Sequence, residues 1–297
     1  MAQFNLDWQS KLVLLLVLPW TAVSVIVQAQ AWWNRAPVSA IWVLALSALL
    51  GLLAWRLRTA TPAAALMGAV ITASLMLATL VYPYRVKRTA LVPVLVLLVL
   101  TSLATRFGRR HKERLGTAEK RHGRGAAQVA ANLGVAALAM QPVLLGRLIE
   151  IHWLVRTVMA TPIAIFAPGL AALAESAADT VSSEIGQVLG GQPRMITTLR
   201  PVDPGTDGGI TLAGTAAGII AAGIVAAAGC WALHGDVWML AVSWAGGVFG
   251  LFFDSLLGAT LERGGWLNND GVNFLSTASA AGFTLGLMAA LPHSVAG

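Results

Sequence analysis

Nine apolar runs, separated by short polar intervals, limit what this chain can fold into more than any other feature. They lie at about 12–30, 38–55, 62–82, 89–106, 126–146, 154–176, 209–231, 237–258 and 271–292. Each holds roughly 17–25 residues, the length an α-helix needs to cross the hydrocarbon core of a bilayer. In lipid the backbone must satisfy its own polar groups, so such runs fold as helices. The composition agrees, with 57% hydrophobic and only 11% charged residues, where a soluble domain carries about 25% charged. The pattern predicts an all-α, polytopic membrane helix bundle of about nine transmembrane helices. Three parts are expected: N-terminal transmembrane helices over 1–105, a basic cytoplasmic loop over 106–125, and C-terminal transmembrane helices with the polar motifs over 126–297. Lys11 and the Ala29-Gln30-Ala31 step resemble a secretory signal. The length of the run, and Asp7 beside its single basic residue, favour an uncleaved first span.

A net charge of +7 could suggest a nucleic-acid partner. In a membrane protein, basic loops instead mark the cytoplasmic side, and no nucleic acid is expected. The segment RFGRRHKERLGTAEKRHGR, 106–124, is the most basic in the chain. Placed in the cytoplasm, it sets the N-terminus inside and the C-terminus outside, and brings the loops 177–208 and 259–270 inside as well. Fourteen of the twenty Lys and Arg then lie inside, with Arg85, Lys87 and Arg88 as the exception. The expected location is a bacterial cytoplasmic membrane. Trp32, Trp33, Trp55, Trp153, Trp231 and Trp266 fall near span ends, as an interfacial belt does.

Several polar motifs share the inner face. In AESAADTVSSEIG, 174–186, Glu175 and Asp179 stand four apart, on one helical face. Like charges at that spacing repel. Magnesium between them is the expected remedy, since it takes one or two carboxylates together with phosphate oxygens. Glu184 points elsewhere on a regular helix and joins only if the helix breaks. GGQPRMITTLRPVDPGTDGGITLAGTAAG, 190–218, follows. Its prolines forbid a continuous helix. Gly205, Gly208 and Gly209 allow close backbone approach where a helix begins, a setting suited to phosphate. Arg194 and Arg200 add charge-assisted hydrogen bonds, and Thr206 adds a hydroxyl. Gly214 and Gly218 form a GxxxG step, read as helix packing. Asp254 lies on a face of small residues with Gly246, Gly250 and Gly258. An acid within a span faces the bundle interior and marks function. Asn268, Asn269, Asp270 and Asn273 open the last helix, more polar groups than one N-cap needs. Upstream, Arg124, Gln128 and Asn132 share a face; Arg124 is read as a phosphate ligand, the other two as packing residues.

Taken together, RGAAQVAANLG, AADTVSSEIG, PRMITTLRPVDPGTDGGITLAGT, DSLLGATLE and NNDGVN resemble a membrane family that includes transmembrane protein 19 and the phytyl-phosphate kinases. That resemblance implies a lipid kinase using a nucleoside triphosphate, CTP, as co-substrate, an isoprenoid lipid phosphate as acceptor, and the diphosphate as product. It implies an acidic motif with Asp179 and Glu184, a glycine motif with Arg194, Arg200 and Gly205 to Gly209, and a last motif with Asp254, Asn269 and Asn273. Asp179 and Asp254 would be catalytic, and Glu175, Asp179, Glu184 and Asp254 the magnesium ligands. A carrier or transporter of an anionic lipid, and a cytidylyltransferase making a CDP-lipid, are the alternatives.

Overall fold

The structure is a computed structural model and describes residues 7–117, 123–141 and 164–291. Its helices are α1 (Asp7–Trp33), α2 (Pro37–Arg56), α3 (Pro62–Ala78), α4 (Leu91–Arg106), α5 (Arg109–Leu115), α6 (Ala126–Ala139), α7 (Ala167–Leu189), α8 (Leu212–Ala232), α9 (Val237–Leu257) and α10 (Asn269–Ala290). A π-turn, Gly258–Glu262, extends α9. Two-residue strands, β1 (Arg194–Met195) and β2 (Gly209–Ile210), pair antiparallel. Five helices, α1, α2, α8, α9 with its extension, and α10, are long and apolar enough to cross a membrane, or six if the bent pair α4–α5 counts as one span. Shorter apolar helices are α3 and α6.

Helix α7 is the hub and packs against α4, α6, α8, α9 and α10. Its first half, Ala167 to Ala178, is buried on every side. Ala, Gly and Ser dominate that stretch, and small residues let neighbouring backbones approach closely. A Cβ on Gly214 would lie 2.5 Å from the Ser182 carbonyl oxygen, and one on Gly218 would lie 2.8 Å from that of Ala178. The GxxxG step of α8 is therefore the contact with α7, as its spacing predicts. Large apolar side chains instead project outward on α1 and α2, Leu15, Ile26, Ile41 and Trp42 among them. Trp33, Trp55, Trp231 and Trp266 are also exposed; Trp153 lies outside the described residues.

One expected boundary moves. The sixth run, 154–176, was expected to end where the acids begin, with a loop over 177–208. Helix α7 instead continues unbroken to Leu189, and 154–163 lie outside the described residues. Acids lower the hydropathy of a window, but they face protein here and do not end the helix. The basic segment also holds a short helix, α5, bounded by left-handed glycines Gly108 (φ 61°) and Gly116 (φ 74°).

Contacts sort the connections into two ends. At one, Gln9 Nε2 donates to the Trp266 carbonyl at 2.8 Å, and Ser10 donates to Asp270 Oδ2 at 2.6 Å. Arg124 pairs with Ala60, Gly108 abuts Val188, and Gly205 abuts Thr117. At the other end Ser39 donates to the Tyr84 carbonyl at 2.8 Å. There Arg88 donates to the Trp231 carbonyl and stacks 4.2 Å from that ring. This cation sits on the C-terminal end of α8, where carbonyls lack helical partners. The contact accounts for one of the three charges in the 85–88 exception.

Candidate functional site

Three acids from two helices meet inside the first end. Glu175 and Asp179 share a face of α7, and Asp254 comes from α9. Asp179 and Asp254 are neighbours, and Arg124, ahead of α6, is near Asp179. Glycine makes the approach possible: a Cβ on Gly250 would lie 2.5 Å from Glu175 Cγ. Glu175 is 1% exposed, and among the described residues neither of its carboxylate oxygens has a hydrogen-bond partner; Asp254 Oδ1 is likewise buried and unpartnered there. The Ser276 hydroxyl of α10 lies near both Glu175 and Asp254, but it donates at 3.1 Å to the Asn273 carbonyl.

A buried, unpartnered carboxylate is costly unless a charge or proton neutralises it. These orphaned oxygens fit a hard cation such as magnesium. Among the described residues no three His, Cys, Asp or Glu side chains form a preformed metal cage.

Glu184 has a different partner. On the regular helix it forms an ion pair with Lys112 of α5, and it lies close enough to Asp179 for their charges to repel. The Lys112 ammonium also donates to the carbonyls of Ala104 and Thr105 at 3.1 and 2.8 Å.

The glycine motif is a compact lobe clamped by the β1–β2 pair. Arg194 donates to the Leu199 carbonyl at 2.9 Å, spanning its own turn. Arg200 is exposed. Thr206 donates to the Asp203 carbonyl at 2.7 Å, and the Gly209 N–H donates to the Thr206 carbonyl at 2.9 Å. These two groups therefore shape the loop. Gly208 (φ 74°) lies flat on the end of α9, where a Cβ would come 2.4 Å from the Ala259 backbone nitrogen. That contact is about one helical turn beyond Asp254. Asp207 lies beside Arg263 and Glu262, and Glu262 also lies near Asp179, so the lobe sits beside the acids. Burial pushes the Asp207 carboxyl up from its ordinary value, and the Arg263 guanidinium opposes that rise.

At the start of α10, Asn268 is the N-cap and accepts from the Gly271 N–H at 2.8 Å. Asn268 and Asp270 both bond α1. Asn269 donates to Asn273 at 3.5 Å. Asn269, Asn273 and Ser276 occupy one face by spacing. Ser276, Glu262 and Lys112 are additions that the sequence did not single out. Spacing alone could have found Ser276, three residues beyond Asn273.

The profile of the family described as Integral membrane protein DUF92 matches residues 45–281. An uncharacterized membrane protein of Methanocaldococcus jannaschii is 43% identical over 108 residues, 36% of this chain and 45% of that protein. One of Synechocystis is 32% identical over 205 residues, 66% of this chain and 72% of that protein. Protein VTE6, chloroplastic, of Arabidopsis thaliana is 37% identical over 101 residues, 33% of this chain and 30% of that protein. The matches thus span less than half the length of the archaeal and plant relatives. No solved structure matches the chain at comparable significance. The profile match covers most of the chain, and the motifs and apolar helices accord with it: the chain belongs to the integral membrane protein family DUF92.

Proposed function

We propose that the chain is a membrane phosphotransferase that moves the γ-phosphoryl group of a nucleoside triphosphate, CTP, onto an isoprenyl monophosphate. The observation that carries this is the meeting of Asp179 and Asp254 beside Arg124, with the glycine lobe adjoining. The motif resemblance to phytyl-phosphate kinases supports the same chemistry. Phosphoryl transfer asks for positioning and charge neutralisation more than for covalent catalysis. An oxygen of the acceptor phosphate attacks the γ-phosphorus and forms the new P–O bond. The bond from γ-phosphorus to the β,γ-bridging oxygen breaks, and CDP leaves with that oxygen. The acceptor oxygen is already anionic, so no side chain must remove a proton.

Arg124 orients the acceptor phosphate next to Asp179. Arg194 and Arg200, on the lobe, bind the triphosphate, and Asn269 and Asn273 complete the polar wall. Asp179 and Asp254 would hold magnesium, with Glu175 behind them; when bound, the ion supplies neutralisation of phosphate charge. We further read α3, α4, α6 and α7 as spans, because their ends alternate between the two ends of the bundle. That would give nine crossings among the described residues, with the basic end in the cytoplasm.

The test is the purified full chain with magnesium, labelled CTP and geranylgeranyl monophosphate, with products separated by thin-layer chromatography. Isoprenyl diphosphate and CDP are expected. Asp179→Asn and Asp254→Asn should each lower kcat by about 10²-fold or more while the protein still melts cooperatively. Full activity in either variant removes that residue from the site. Pyrophosphate and a CDP-lipid would make the chain a cytidylyltransferase, and lipid binding without turnover would make it a carrier.

A further inference from the structure

A cavity of about 420 Å³ lies among α2, α3, α4 and α6, apart from the glycine lobe. Its wall has two characters. One end carries Arg58, Arg106, Arg109 and Arg124; the rest is apolar, with Leu50, Val94 and Leu133 among its lining. From Val94 to Arg106 is twelve residues of α4, about 18 Å at 1.5 Å per residue. The cavity is therefore elongated, with its charge at one end. Arg109 pairs with Glu113 at 3.0 Å on the exposed surface, and Arg124 faces Asp179. Among the described residues no carboxylate forms an ion pair with Arg58 or Arg106. Arginine stays ionised and matches phosphate oxygens in bidentate fashion.

We infer that this cavity binds a single-chain lipid monophosphate, its phosphate at the arginine end and its tail between α2, α3, α4 and α6. The volume is near the lower end of the range for small-ligand sites, roughly 300–1,000 Å³, which suits one chain and not two. Ser176 of α7 lines the inner wall between Glu175 and Asp179 in sequence. Arg124 touches both the cavity and the acidic centre, so a phosphate at the arginine end lies beside Asp179. Assigning this lipid as the acceptor rests on the phosphotransferase reading; its binding does not.

Binding and turnover are measured separately. The full chain in detergent, with EDTA and no nucleotide, is titrated with geranylgeranyl monophosphate and, in parallel, with phosphatidic acid, using native mass spectrometry. The wild type should prefer the single-chain lipid. Arg58→Ala/Arg106→Ala should weaken its binding by about tenfold or more. Gly68→Leu tests the tail channel: a Cβ at Gly68 meets only Val129, at 3.8 Å, so the longer side chain enters the cavity. It also improves helix propensity, and should weaken binding without lowering the melting temperature. Wild-type affinity in both variants, or equal affinity for phosphatidic acid, overturns the inference. Weakened binding together with no turnover on any triphosphate would uphold the cavity and sink the kinase reading. Turnover with an unchanged KM for lipid in both variants would do the reverse.

Discussion

Lys112 is 1% exposed, and its ammonium is divided between the Glu184 carboxylate and two carbonyls at the end of α4. Those carbonyls belong to the turn where a helix runs out of backbone donors, so one cation serves two needs. Removing one partner of a buried pair leaves the other charge uncompensated and costs about 3–5 kcal/mol. Lys112→Met should lower the thermal stability of the detergent-solubilised protein by about that amount, and Lys112→Met/Glu184→Leu should recover most of it. An equal loss in both variants would place the stabilisation in the carbonyl contacts instead. Nothing in the sequence marks Lys112, which sits among basic residues that read as solvated. Its burial comes from the 62° bend between α4 and α5 at the left-handed Gly108. Asp254 was legible because an acid inside an apolar run demands a partner, and Asp179 because it stands four residues from Glu175 on one helical face. Arg58 and Arg106 were not, since arginines at span ends are ordinary interfacial residues.

At the scale of the element, α7 and the glycine lobe behave in opposite ways. Helix α7 is unbroken for 23 residues, although its sequence turns acidic halfway along. Hydropathy measures suitability for lipid, and α7 meets protein on its sides, so the apolar run ended at 176 although the helical spacing of the acids was read beyond it. The lobe was legible as a loop from its prolines and glycines, but its seat was not. Gly208 touches Ala259, a contact between parts of the chain about fifty residues apart. Gly208→Ala forces a left-handed φ on a residue with a Cβ and drives that Cβ into the α9 backbone. The local cost is about 1–3 kcal/mol for the strain alone. The lobe lies outside the helix core, so global melting should change little. Faster limited proteolysis within 196–208 and a large loss of turnover are expected. Unchanged proteolysis and activity would show that the lobe does not depend on this seat.

For the whole molecule, the joint that matters is the one between the first helix and the last. Gln9 and Ser10 bond Trp266, Asn268 and Asp270, so the start of α1 and the start of α10 lie at the same end. Each helix between them that crosses the bundle reverses the chain, and the contacts place α5, the glycine lobe and the π-turn at that end too. Under the proposed topology the charge asymmetry would choose the side. Arginine and lysine at the α5 end resist translocation, whereas Arg88 at the far end is already spent on Trp231. This yields a test of topology that is independent of catalysis. Tyr82, Val237, Leu115 and Trp266 are all exposed, and the native Cys230 is buried. Single cysteines at Tyr82 and Val237 should react with a membrane-impermeant maleimide on intact cells. Cysteines at Leu115 and Trp266 should react only after permeabilisation. Labelling of all four from outside, or of one member of each pair, would contradict alternation of the helix ends. Reversal of both pairs would keep the alternation but turn the acidic centre toward the outside, where a nucleoside triphosphate is scarce. Sidedness and chemistry are therefore linked: a kinase of this design needs the end that carries α5, Asp179 and Asp254 to face the cytoplasm.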